Sequence, residues 1–190
     1  CIGVPLGLQA GYRSGWSDIA IMRGVDVMMT LPSIVLAIAI VSVLGAGVTS
    51  VVIAVGITST PAFARLTRAV ALTLREQDFV AAARVVGASD LRILRRHILP
   101  NSLPPIIVQA SLGVGTTILT ASALGFLGLG VEPPTPEWGA MLSRGRSYVS
   151  VAPNLVVFPG LAIALLVLGF NLLGDGLRDA LDPRMKQMTR

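Results

Sequence analysis

The chain has 190 residues, 53% of them hydrophobic and 13% charged, and a formal net charge of +5. That composition excludes an ordinary soluble domain: with ~30 Å of hydrocarbon taking about 20 helical residues per crossing, the length holds several crossings and no soluble catalytic domain. The cations cluster between apolar runs rather than forming an aromatic-studded surface, so lipid headgroups and an acidic protein partner explain them, and nucleic acid does not.

In chain order, residues 1–10 are apolar but too short to cross, and are expected to be the end of a partial span. The chain opens on Cys1 and lacks a basic n-region with a cleavage site, so it reads as an N-terminally truncated piece and not as a secreted precursor. Cys1 is the only cysteine, which excludes an internal disulfide. Residues 11–18 are turn-rich, with Tyr12 and Trp16 suited to a membrane interface. A span is predicted over 25–44, kinked at Pro32, with Asp26 placed to pair with Arg23 at its mouth. After a short turn at 45–50, a second span covers 51–72; Pro61 breaks it, and Arg65 and Arg68 near its end can snorkel to the membrane face.

Residues 73–102 form a basic loop between spans. Its sequence predicts two short helices joined at Gly87, where glycine tolerates the left-handed conformation, with Ser89 as N-cap of the second and Pro100 as its end. At the α-helical period Leu91, Leu94 and Ile98 share one stripe, opposite Arg92, Arg95 and Arg96. Asp90 in the first turn and Arg95, Arg96 and His97 near the end complement the helix dipole. The first helix presents Phe79, Ala82, Ala83 and Val86, small or apolar groups on which another protein can seat.

The span predicted over 106–130 is rich in small and hydroxyl residues, which suits a close packing face. Gln109, Thr116 and Thr120, at near-helical spacing, are the candidates for lining a pathway. Residues 131–154 form a polar interval with a short interfacial helix from near Pro136, anchored by Trp138 and Tyr148. The last span is predicted over 155–173, followed by a turn at Gly174–Gly176, a short helix at 177–181 and a basic tail. With the basic loop in the cytoplasm, every Lys and Arg except Arg144 and Arg146 lies on that side, the positive-inside pattern. The fold class is all-α, a polytopic membrane helix bundle.

Catalytic vocabulary is almost absent. His97 has no second histidine or cysteine to complete a zinc set and is explained by helix-end charge compensation. There is no P-loop, and the glycines of 125–130 end an apolar run and do not follow a strand.

The run Ala82-Ala83, Gly87 and Ile98-Leu99-Pro100 resembles the EAA loop of permease subunits of binding-protein-dependent ABC importers. The resemblance extends through Leu31-Pro32-Ser33, Phe126-Leu127-Gly128-Leu129-Gly130, the motif Pro133-Pro134-Thr135-Pro136-Glu137-Trp138-Gly139 and the stretch from Asn171 to Arg184, which together are similar to the dipeptide, oligopeptide and nickel branch. It implies an ATPase-docking loop carried by Ala81, Ala82, Ala83, Gly87, Asp90, Leu91, Arg92, Leu94, Arg95 and Pro100, and an outer gate that includes Glu137 and Trp138. It implies two ATPase subunits that bind the ATP and Mg, a second permease subunit and an extracytoplasmic solute-binding protein, with no cofactor on this chain and a cell-membrane location. The family triplet opens with Glu, whereas this chain has Ala81; Asp78, one turn earlier on roughly the same face, offers a partial substitute. Two alternatives are a truncated, uncoupled permease remnant, suggested by the missing first span and by Ala81, and a self-sufficient channel or secondary transporter. The latter calls for ionisable groups deep in the spans, and 35–59 and 106–131 have none.

Overall fold

The computed structural model describes residues 2–131 and 134–181. Cys1, Glu132, Pro133 and residues 182–190, with the tail cations Arg184, Lys186 and Arg190, lie outside the described residues. Among the described residues every regular element is helical: α1 (Gly3–Arg13), α2 (Trp16–Met29), α3 (Ser33–Leu44), α4 (Val48–Leu74), α5 (Asp78–Val85), α6 (Asp90–Ile93), a π turn (Leu94–Ile98), α7 (Leu99–Phe126), α8 (Trp138–Gly145), a 3-10 turn (Arg146–Tyr148) and α9 (Asn154–Leu181). The runs Val48–Leu74, Asp90–Phe126 and Asn154–Leu181 are long and apolar enough to cross a membrane, and α2 with α3 adds a fourth crossing if the pair is one broken span. The chain divides into two compact units, one of Cys1–Thr30, Ser59–Gln109 and Arg178–Arg190, the other of Leu31–Thr58 and Ala110–Leu177.

The first unit is built on a glycine stripe. Gly3, Gly7 and Gly11 recur every fourth residue of α1, and a Cβ on them would lie 2.4, 2.3 and 2.5 Å from the carbonyl oxygens of Thr60, Ala64 and Arg68 on α4. Only hydrogen at these positions lets the two helices meet backbone to backbone. Gly11 therefore belongs to a helix and not to the expected connector, and the turn shrinks to Ser14 and Gly15, both at positive φ. Tyr12, expected at the membrane interface, is buried in this unit's core. Asp26 pairs with Arg65 (2.7 Å) and not with Arg23. Arg68 makes a two-pronged contact with Asp18 (2.5 and 2.7 Å), so the two arginines expected to snorkel hold α2 to α4.

Proline behaves differently at each expected break. The span predicted over 25–44 is two helices, α2 ending at Met29 and α3 starting at Ser33. Leu31 precedes a proline, which disfavours the helical region, and Pro32 takes an extended ψ of 135°. Pro61, by contrast, sits inside an unbroken α4. Pro100 does not end its helix either: the run from Asp90 continues to Phe126 through Pro100, Pro104 and Pro105. The π turn makes this possible, because Leu99 N–H reaches back five residues to Leu94 O just before the proline. Asn101 Nδ2 donates to His97 O (2.6 Å) and Ser102 Oγ to Ile98 O (2.8 Å), side-chain bonds back to carbonyls one turn earlier.

In the second unit Ala37 and Val41 of α3 pack with Ala54 of α4 and Leu124 of α7. α7 closes in a Schellman motif at Gly128 (φ 80°), Leu129 N–H bonding Leu124 O (2.9 Å) and Gly128 N–H bonding Gly125 O (3.0 Å). The turn expected at Gly174–Gly176 is absent and α9 is continuous there. A Cβ on Gly174 would lie 2.7 Å from Leu112 Cδ2, so this glycine serves a close crossing of α9 with α7.

Candidate functional site

The basic loop is held from below by a small apolar core. Val80 and Ala83 of α5, Ile93 of α6 and Ile98 of the π turn are buried against Leu8 and Tyr12 of α1 and Ala71 of α4. α5 ends in its own Schellman motif: Gly87 takes φ 77°, Ala88 N–H bonds Ala83 O (3.0 Å) and Gly87 N–H bonds Arg84 O (2.9 Å). Ala88, the residue after the glycine, packs on the same core. Ser89 has the extended backbone of an N-cap, but its hydroxyl makes no cap bond; its carbonyl accepts from Ile93 N–H (3.0 Å).

A polar brace crosses this core. The buried Tyr12 hydroxyl donates to Asp90 Oδ1 at 2.7 Å, and the Arg84 guanidinium lies 5.6 Å from the Tyr12 ring centroid. One α1 side chain thus engages both loop helices, on either side of Gly87. Burial, then the hydrogen bond to Asp90, holds the Tyr12 pKa above its ordinary value. A second tie comes from Arg75, whose guanidinium donates to Gly11 O (3.2 Å) and to Ser14 Oγ. Tyr12 and Asp90 are 78 residues apart, and no local pattern announces their pairing.

The predicted greasy stripe is redistributed. Ile93 and Ile98 are fully buried, Leu94 is half-buried, and Leu91 is 66% exposed. Residues five apart share a face here because the π turn slows the rotation of the helix, and a wheel drawn at 3.6 residues per turn misplaces them. On α5, Ala83 faces inward, while Phe79, Ala82 and Val86 remain exposed together with Ala81. The outward surface of the loop combines Val85 (89% exposed), Val86 (84%) and Leu91 with the exposed Arg84, Arg92, Arg95 and Arg96. Pro100 is exposed as well and lies in the first turn of α7. His97, half-buried, lies 6.3 Å centroid to centroid from Phe79.

Thr116 and Thr120 are one turn apart on α7, and their hydroxyls donate to Gly113 O and Thr116 O of the same helix (2.9 Å each). Gln109 belongs to the other unit. Glu137 is the N-cap of α8, accepting from Gly139 N–H and Ala140 N–H (2.7 Å each). Its carboxylate rests on Gly125, where a Cβ would lie 1.9 Å from Oε2, and a Cβ on Gly139 would lie 2.0 Å from Ser122 O. Trp138, the first residue of α8, is 40% exposed. Glu137 therefore fastens α8 to the end of α7, a contact the sequence motif did not reveal.

Apolar crossings interrupted by a braced two-helix loop define an integral membrane protein. Residues 3–187 match the family described as binding-protein-dependent transport system inner membrane component, and the chain belongs to that family. It is 56% identical over 184 residues to the dipeptide transport system permease protein DppC of Alkalihalophilus pseudofirmus, covering 97% of this chain and 60% of that protein. It is 55% identical over 185 residues to the glutathione transport system permease protein GsiD of Pectobacterium atrosepticum (97% and 62%) and 57% identical to GsiD of Escherichia coli O157:H7 (97% and 61%). The chain thus spans about 60% of the length of these relatives. A chain of the inward-facing MetNI methionine ABC transporter shares the fold, with a TM-score of 0.74 at 20% identity over 95% of this chain and 86% of that one.

Proposed function

We propose that the chain forms part of the translocation pathway of an ABC importer for peptides or related small solutes, and that its basic loop couples the pathway to separate ATPase subunits. The carrying observation is the outward surface of α5 and α6, where exposed apolar groups and arginines flank a Schellman turn braced from beneath by Tyr12. An exposed apolar patch rimmed with cations fits an acidic, partly apolar cleft on another protein. The ATP and Mg belong to two such partners; a second, similar permease completes the pathway, and an extracytoplasmic binding protein delivers the solute. The similarity to dipeptide and glutathione permeases supports the solute class. In this reading ATPase closure pushes the loop, and the helices continuing from it, α4 and α7, carry a rigid-body switch between inward- and outward-open states. Thr116 and Thr120 line the pathway, Glu137 and Trp138 belong to its outer gate, and the loop and C-terminus face the cytoplasm.

The test is binding-protein-stimulated ATP hydrolysis by the purified transporter carrying this chain, Gly87→Asp or Ala81→Glu. Stimulation by the native chain that Gly87→Asp abolishes, with assembly intact, is the expected result. Since Ala81 is exposed, Ala81→Glu is expected to increase stimulation by adding a carboxylate without disturbing the core. Assembly without stimulation for every variant would leave the uncoupled remnant as the better description.

A further inference from the structure

We propose that the second unit binds an anionic phospholipid, with one acyl chain in a groove between α7, α8 and α9 and the headgroup phosphate on Arg146. The groove encloses about 460 Å³ and is lined by Leu119, Ala123 and Phe126 of α7, Leu142 of α8, and Gly160 and Ile163 of α9, with Ser122 as the only hydroxyl. Gly160 keeps it open: an added Cβ there would meet nothing closer than Leu142 Cδ2 at 3.9 Å. Both α7 and α9 belong to runs long and apolar enough to cross a membrane, and where such a groove meets hydrocarbon a flexible apolar chain is its natural filler.

Arg146 selects the rest of the ligand. Its guanidinium lies 5.8 Å from the ring centroid of Phe126, a lining residue, so the cation stands beside the groove. Neither Arg146 nor the nearby exposed Arg144 pairs with a carboxylate among the described residues. Trp138 (40% exposed) and Tyr148 (58%) flank the same short segment, the amphipathic aromatics that settle at headgroup depth. A phospholipid brings an apolar chain and an anion covalently joined across that depth, and planar bidentate guanidinium suits phosphate. A protein helix seated here would have to supply both a side-chain filler and an acid. This inference needs only the membrane crossing and is independent of the coupling reading.

The test uses the assembled transporter in nanodiscs of equal parts phosphatidylglycerol and phosphatidylcholine, with a trace of either lipid carrying a photoreactive acyl chain, and maps the labelled peptides. Phosphatidylglycerol is expected to label 119–127 and 160–163 in preference to other apolar surfaces of α7 and α9, with phosphatidylcholine labelling there more weakly. Arg146→Ala is expected to cut the phosphatidylglycerol preference by about fivefold, the weight of one cation at a membrane surface, and Arg146→Lys to retain most of it. Gly160→Phe should remove groove labelling altogether. Two results overturn the proposal: equal labelling by both lipids along all apolar surfaces, or a disulfide from Leu119→Cys to the second permease showing that a protein covers the groove. Arg146→Ala lies on an exposed side chain, so its outcome stands even if Gly160→Phe fails to assemble.

Discussion

Single residues carry unequal weight in the first unit, and glycine shows it most directly. Gly7 and Gly24 are both helical, yet a Cβ on Gly7 would lie 2.3 Å from a backbone oxygen and one on Gly24 would meet nothing within 4 Å. Gly7→Ala should destabilise the protein by about 1–3 kcal/mol, whereas Gly24→Ala should be neutral or stabilise by up to about 1 kcal/mol. Thermal unfolding of the detergent-solubilised protein separates the two. From sequence alone Gly11 fell in a turn-rich connector, because nothing local marks the α4 backbone that these glycines meet. Tyr12 makes the complementary point: Tyr12→Phe keeps the buried ring and removes the bond to Asp90, and it should cost about 1 kcal/mol while weakening stimulated ATP hydrolysis more than assembly. Because burial and Asp90 raise the Tyr12 pKa above 10.0, the bond's contribution is complete below the unfolded value and is lost only as pH rises through the folded one. Titration from pH ~6 to ~9 should therefore leave the stability difference between the native protein and the Tyr12→Phe variant flat.

Elements are joined by contacts that sequence distance hides. α2 is tied to α4 by two ion pairs of different character: Arg65 and Asp26 have side chains about half exposed (48% and 49%), while Asp18 is only 14% exposed beneath Arg68. Arg68→Met should cost on the order of 3 kcal/mol by leaving Asp18 unpaired in a confined site, and Arg65→Met no more than about 1 kcal/mol; unfolding midpoints of the two variants provide the comparison. Reading outward from the sequence, Asp26 looked closest to Arg23, because a neighbour on the same helix is the only partner that spacing can offer. The basic loop was legible to a similar depth. Its glycine hinge needed only the rule that a left-handed residue closes a helix, but the buried face of α6 required knowing that a π turn follows.

At the scale of the whole molecule, membership in the inner-membrane component family matches the apolar runs and their interrupting basic loop. The charge distribution predicts which way the chain lies. With Cys1 replaced by Ser, a membrane-impermeant maleimide should label Val151→Cys in intact cells and Val85→Cys only after permeabilisation; both positions are well exposed (85% and 89%), so access and not burial decides the result. The reverse pattern would invert the topology and contradict the proposed coupling role of the loop.

Composition and hydropathy by themselves determined that this chain is a helical membrane protein, because burying backbone polar groups in lipid leaves helices as the way for such apolar runs to cross. Local signals placed the two short helices and their junction at Gly87, since glycine closure and the charge order of a short helix are local effects. The tertiary structure alone decided which prolines break a helix: Pro32 does, while Pro61 and Pro100 do not, and the outcome depends on what hydrogen bonds their surroundings supply. It also decided that Tyr12 braces the loop and that Glu137 fastens α8, because both depend on residues brought together by packing rather than by their order in the chain.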